Sequence, residues 1–208
     1  MPDSADYREI ERARATRFET LELVDGLDQE QIDFAAEEGS WSLGQVLDHL
    51  IKTDGLYFKN IHRLVARKKA GKTPFIYRGI SSVMSMPKPL RLVAPLFEVP
   101  FAVPNSLLPS ALRHKVGANR KLPLKAPDAF IPRADRPIAE LREDLHKLID
   151  DLDQLEKEDM DLRKLYYYNP VLGLATVPGA IEFLAVHEER HQGQLREILS
   201  SPEFPRAA

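Results

Sequence analysis

Apolar residues recur at intervals of three and four in four stretches of the chain, which is the spacing of one face of an α-helix. The first stretch covers residues 7–25 and precedes Gly26, a residue type that commonly ends helices. The second begins at Ser42, which forms a capping-box signature with Gln45, and continues to about Lys69. Both stretches are therefore predicted to be helices.

Two more helices are predicted in the C-terminal part of the chain. The third begins near Asp135, a favourable N-cap, with Pro137 in its first turn. Its apolar positions form a heptad seam, which is typical of bundle packing: Ile138, Leu141, Leu145, Leu148, Leu152 and Leu155. The fourth follows Thr176 and ends near Ser200. Four helices with few strand signals predict an all-α fold, a four-helix bundle.

Residues 71–133 have a different composition. They hold ten of the sixteen prolines, which forbid a long regular helix. Ten Lys and Arg against two acids give them a net charge of +8, so the rest of the chain carries −11. Their apolar residues are too numerous for a free linker. We expect a long structured connection, inserted between the second and third helices of one domain that spans residues 1–208.

The basic insert admits several interpretations. Pairing with the acidic bundle is the simplest. Attraction of an anionic substrate is a second. Nucleic-acid binding is disfavoured because the aromatic residues that would stack on bases are not regularly interleaved. A membrane-surface role is open, although the insert has no clean amphipathic helix.

The absence of cysteine and of long apolar runs excludes several kinds of site. The 208 residues include no cysteine, which excludes disulfides, thiolate metal ligands and a cysteine nucleophile. A cysteine-free chain suits a reducing compartment, so we expect a cytoplasmic protein. No apolar run reaches the ~18 residues of a membrane span.

Three histidines fall on apolar helix faces. His187 and His191 are one turn apart on the fourth helix, and His49 lies on the apolar stripe of the second. They are either core histidines hydrogen-bonded to other side chains or ligands of one divalent metal ion. Zinc, nickel and iron all suit imidazole ligands. The other three histidines are expected at the surface: His62, His114 and His146.

Residues 187–191 also match the His-Glu-x-x-His pattern of zinc proteases. The context disfavours that interpretation. Gln194 and Glu197 occupy the positions where the extended protease signature has Gly and His. The sequence also lacks clear strands that would hold a peptide substrate.

In combination, these motifs resemble a known family. Gly39-Ser40-Trp41-Ser42 followed by His49, and His187-Glu188-x-Arg190-His191-x-x-Gln194, are similar to the signatures of the DinB-like/YfiT-like superfamily. The resemblance implies an up-down-down-up four-helix bundle that holds a divalent metal on His49, His187 and His191. It further implies a metal-dependent thiol S-transferase or hydrolase. Asn169 replaces a histidine that many members have, and the insert is longer than in compact members.

The metal-centre hypothesis suggests further site residues. Weak catalytic or positioning candidates are Thr53, Asn60, Gln194 and Glu188, with Glu188 expected to be a solvated surface residue. Tyr166, Tyr167 and Tyr168 could line a pocket, although consecutive residues cannot all face one way. The expected substrate is a small molecule, such as an anionic low-molecular-weight thiol, and a homodimer is expected. The alternative is a non-catalytic metal-binding or stress-response module.

Overall fold

The computed structural model describes residues 7–77, 130–169 and 173–206. Within these ranges the chain is mostly helical, with one small sheet. The helices are α1 (Arg8–Leu23), α2 (Gln29–Asp33), α3 (Leu43–Lys69), α4 (Ile138–Glu156) and α5 (Val177–Leu199). The strands are β1 (Phe75–Tyr77), β2 (Tyr166–Asn169) and β3 (Gly173–Thr176), and a short 3₁₀ turn covers Leu162–Lys164. The sequence patterns predicted the four long helices but not α2.

The four long helices pack on one another through their apolar faces. α1 contacts α4 and α5, and α3 contacts the same two helices. The heptad seam of α4 is buried as predicted, from Leu141 to Leu155. On α1, Phe18 is 47% exposed, whereas Arg17 is fully buried on the inward face.

The helix ends follow local side-chain chemistry. Ser42 and Gln45 form the predicted capping box on α3, and the hydroxyl of Thr176 caps α5 by accepting from the Gly179 N–H at 3.2 Å. The predicted N-cap Asp135 was wrong. Pro137 occupies the N-cap position of α4 without a side-chain bond, and the N–H of Ile138 donates to Gln29 Oε1 at 2.9 Å. The first turn of α4 is therefore capped from α2 rather than from its own preceding loop.

A three-stranded sheet, for which the sequence gives few signals, lies beside the helices. β2 pairs antiparallel with β3 and parallel with β1. Side chains alternate across β2: Tyr167 is 1% exposed and packs on the helical core, whereas Tyr166 is 41% exposed. The three tyrosines consequently do not share one face, as expected.

Residues 78–129 lie outside the described residues, and so does His114. The predicted path of the connection over the helices therefore stays a prediction. Among the helices described, none combines the length and the hydropathy that crossing a bilayer requires.

Candidate metal centre

Three histidine rings converge between α3 and α5. His49 lies on the inward face of α3, while His187 and His191 lie one turn apart on α5. One ring nitrogen from each histidine lies within 4.8 Å of the corresponding nitrogens of the other two. The Nε2 atoms of His49 and His187 are 3.3 Å apart. The chain thus brings together the three residues that helical spacing selected.

The orientation of His49 is fixed by the chain that returns from the insert. Its Nδ1 donates to the carbonyl oxygen of Phe130 at 2.8 Å, which leaves the Nε2 lone pair directed at the other rings. The flanking residues of α3 hold the same returning segment. Lys52 Nζ donates to Ile131 O at 2.7 Å, and the buried Asp48 accepts from the Arg133 N–H at 2.6 Å. Asp48 also pairs with Arg136 at 3.0 Å.

The orientation of His191 is set within α5. Its Nδ1 donates to Gln194 Oε1 at 3.0 Å. A histidine whose Nδ1 carries the proton presents its Nε2 lone pair, which is the usual arrangement in a metal ligand. Of the predicted neighbours in the described chain, Gln194 therefore makes a side-chain hydrogen bond to an imidazole ring of the cluster.

Three imidazole nitrogens within 4.8 Å of one another are a donor set that suits a divalent metal ion, and one pair has the spacing of a bound set. Two nitrogens bound tetrahedrally at about 2.0–2.1 Å from zinc lie about 3.3 Å apart, which matches the spacing of the His49 and His187 Nε2 atoms. Burial lowers the pKa of His49 below its usual value, with the charge of Arg190 acting in the same direction. Burial, followed by the neighbouring His191 and His49 rings, lowers the pKa of His187 well below its usual value. Both shifts favour the neutral imidazole, which is the form of His49 and His187 that can coordinate a metal ion.

Aromatic side chains surround the cluster. Phe183 stacks on His187 with ring centroids 5.6 Å apart, and Tyr57 stacks on Phe183 at 5.4 Å. Trp41 lies 5.0 Å from the His49 ring while it packs on the apolar core at the start of α3. Trp41 thus packs where the chain enters α3 and also contacts the site.

A buried ionic network lies on another face of α5, next to the histidines. Arg17 of α1, which is 0% exposed, donates from Nε to Glu188 Oε1 at 2.7 Å and from an Nη to Asp54 Oδ2 at 2.6 Å. It also donates to the carbonyl oxygen of Leu145 at 2.9 Å. Burial raises the pKa of the Asp54 carboxyl to about 7, even though Arg17 lowers it. We call Arg17, Asp54 and Glu188 the Arg17 network; through Leu145 it joins four helices.

The other predicted candidates have different surroundings. The expectation that Glu188 is a solvated surface residue was wrong, because it is 2% exposed and both of its carboxylate oxygens accept from Arg17. Thr53 is buried and its hydroxyl donates to the His49 carbonyl oxygen at 2.8 Å. Asn60 lies eleven residues after His49 on α3, about 16 Å along the helix axis. It shares the stripe of His49 but not the level of the cluster.

The geometry also argues against a zinc-protease centre. The catalytic glutamate of that motif must reach a water on the metal, whereas Glu188 is held by Arg17. The third histidine comes from α3, upstream of the motif, rather than from a downstream segment. Outside the cluster, His146 is exposed as predicted, and His62 is partly exposed and bonds to Asp151 at 2.7 Å.

Sequence reasoning missed the Arg17 network and the Phe130 carbonyl. A signal existed for Arg17, because it continues the three-and-four spacing of Ile10 and Ala13 on α1. A charged residue on an apolar stripe indicates a buried ion pair. No comparable signal existed for Phe130. Its contact with His49 uses a main-chain oxygen, which every residue type has, and depends on where the last residues of the insert meet α3.

Comparison with known proteins gives one finding. The family model described as the DinB superfamily matches residues 12–195, which include all three histidines and the Arg17 network. No curated protein and no solved structure gives a significant match to the chain.

Proposed function

The chain belongs to the DinB superfamily, and we propose that it is a metal-dependent enzyme that acts on small molecules, of the thiol S-transferase or hydrolase type. The proposal includes a single four-helix-bundle domain of the DinB type, with residues 71–133 as an insert. It also includes the cytoplasmic location and the homodimer expected from the sequence.

The observation that carries the proposal is the converging set of three imidazoles. His49 and His191 have their Nδ1 protons engaged by Phe130 O and Gln194 Oε1, which directs the Nε2 lone pairs into the cluster. Buried lone pairs that face one another are costly unless they are shared with a cation or a proton donor. A divalent metal ion held by His49, His187 and His191 satisfies all three together.

Three protein ligands are typical of catalytic rather than structural sites. Because imidazole is neutral, a bound divalent ion would keep its full charge and supply the Lewis acidity that activates a water or a thiol. The chain contributes positioning: Gln194 and Phe130 fix two of the rings, and the aromatic side chains around them limit access of water. With no cysteine in the chain, a thiol nucleophile must come from a substrate.

Metal analysis of the purified protein tests the metal centre. We expect about one equivalent of a divalent metal in the wild-type protein, and a large loss in His49→Ala and His191→Ala because each removes one of three ligands. His146→Ala is the matched control, since His146 is exposed on α4. Unchanged metal content in both ligand variants would disprove the assignment.

A second experiment separates the enzyme from the non-catalytic alternative. Consumption of a low-molecular-weight thiol and hydrolysis of ester or amide substrates are followed over a panel of electrophiles, with and without a chelator. Chelator-sensitive turnover that is lost in His191→Ala and retained in His146→Ala supports catalysis. Metal binding without turnover across the panel would favour the non-catalytic module.

A further inference from the structure

A cleft of about 510 Å³ opens between the C-terminal turns of α3 and strand β1. Its walls include three cations and two apolar side chains: Arg63, Arg67, Lys72, Ile76 and Tyr77. Arg63 lies fourteen residues after His49 on α3, about 21 Å along the helix axis. The cleft is therefore separate from the metal centre.

The three cations of this cleft have no carboxylate within ion-pair distance among residues 7–77, 130–169 and 173–206. Lys69, on the same turn of helix, pairs with Glu158 at 2.8 Å, and Arg14 and Arg136 each contact several carboxylates. Three positive charges therefore line one concave surface, and none of the described side chains that line it is acidic.

The helix dipole explains only part of this arrangement. Cations in the last turn of a helix interact favourably with its negative end, which accounts for Arg67. Arg63 lies a full turn earlier, and Lys72 lies beyond the end of the helix. Their direction towards the cleft needs another explanation.

The local backbone holds the guanidinium of Arg67 and the main chain of Lys72 in place. Arg67 Nε donates to Thr73 O at 2.9 Å, and the Lys72 N–H donates to Arg67 O at 2.9 Å. Gly71, with φ of +67°, allows the tight turn between them. Arg67 and Lys72 thus sit on a fixed turn, which lowers the entropy that a ligand must overcome.

The remaining wall is aromatic. Tyr77 stacks on Tyr168 of β2 with ring centroids 5.0 Å apart and planes 7° from parallel. From the three cations, the aromatic wall and a volume within the range of small-molecule sites, we propose that this cleft binds a small, multiply charged anion that carries an aromatic group, as an aryl phosphate does.

Calorimetric titration of the full-length protein with phenyl phosphate tests the proposal, with inorganic phosphate as the comparison. We expect phenyl phosphate to bind more tightly because its ring contacts Ile76 and Tyr77. The double variant Arg63→Gln/Lys72→Gln should weaken binding at least tenfold, since each exposed cation contributes to charge-assisted contacts with the phosphate. Arg63→Lys, which keeps the charge, should retain most of the affinity.

Two controls make the result specific. Arg206→Gln removes an exposed cation that has no ion pair in the described chain and lies near the C-terminus, so it should leave the affinity unchanged. His49→Ala should also leave it unchanged, because the metal centre is distant. The proposal is overturned by absence of binding at millimolar phenyl phosphate, by equal weakening in Arg206→Gln, or by loss of binding in His49→Ala.

Discussion

Two buried polar clusters share helix α5. In one of them charged side chains pair with each other, and in the other imidazole nitrogens face one another. The histidine cluster contains His187 and His191, while Glu188, between them in sequence, turns to Arg17 on another face of the helix. The Arg17 network consists of charges that compensate one another inside the protein. The histidine cluster consists of three imidazole rings, each with one nitrogen within 4.8 Å of a nitrogen of the other two. The first is complete without a ligand, whereas the second has the composition of a binding site.

Neighbouring residues of α5 therefore belong to two different kinds of cluster. Glu188 belongs to a structural network, and His187 and His191 belong to the candidate metal centre. Arg17 reaches Asp54 on α3, Glu188 on α5 and the Leu145 carbonyl on α4, so it ties α1 to three other helices. The histidines connect α3 and α5 alone among the described elements, and their Nδ1 partners orient them without neutralising any charge. Changes in the network should therefore affect folding, and changes in the cluster should affect metal binding.

The largest effect is expected from Arg17→Met. This change leaves two buried carboxyl groups without their cation, and breaking a buried ion pair from one side costs about 3–5 kcal/mol. Urea unfolding of the metal-free protein measures the loss. Arg12→Met is the matched control, because Arg12 also joins α1 to two carboxylates of α5, Glu182 and Glu189, but its side chain is 42% exposed. Exposed pairs contribute about 1 kcal/mol or less. Equal losses in the two variants would contradict the distinction.

The second prediction concerns pH. Because burial raises the pKa of Asp54 to about 7, the folded protein retains a proton there that the unfolded chain loses near pH 4. This group's contribution to stability is thus fully present below about pH 4 and is lost as the pH rises to 7. Asp54→Asn cannot ionise, so we expect the variant to gain stability relative to wild type over that interval. The gain should be on the order of 3 kcal/mol, since each pK unit corresponds to about 1.4 kcal/mol.

Urea unfolding of wild type and Asp54→Asn at several pH values between 4 and 8 tests this linkage. The difference between the two proteins removes the contributions of all other titrating groups that are the same in both. A difference that stays constant with pH, or that moves in favour of wild type as the pH rises, would refute the prediction.

The third prediction returns to the histidine cluster. Gln194→Leu removes the acceptor that holds the His191 Nδ1 proton. Loss of such an outer partner typically lowers metal affinity about 10- to 100-fold. Competition with a chromophoric chelator measures the change. Gln192→Leu is the control: Gln192 is buried on the same helix but donates to Thr16 O and Thr20 Oγ1 of α1. It should lower stability and leave the metal affinity unchanged.

The fold and the centre differ in how far sequence patterns predict them. The apolar spacing predicted the four long helices and placed His49, His187 and His191 on inward faces, because helical periodicity converts directly into direction. It did not predict the sheet, because three strands of three or four residues are too short to establish a pattern. The Arg17 network was not predicted, because an inward face defined by apolar residues alone leaves out a buried arginine on the same stripe of α1. The hydrogen bond from His49 to the Phe130 carbonyl joins residues that are far apart in sequence. Local sequence patterns do not contain such a contact.

The smallest effect is expected at Thr53, which lies one turn after His49 on α3. Its position on the ligand stripe made it a candidate site residue, but its hydroxyl donates to the His49 carbonyl within the helix. Thr53→Val keeps the shape and removes that hydrogen bond, which should cost about 1 kcal/mol of stability. Because no change occurs at the imidazole, the metal affinity should stay within about twofold of wild type, in contrast to Gln194→Leu. A loss of affinity comparable to that of Gln194→Leu would show instead that Thr53 belongs to the metal centre, and that sharing a helix stripe was the better guide to function than the hydrogen bond.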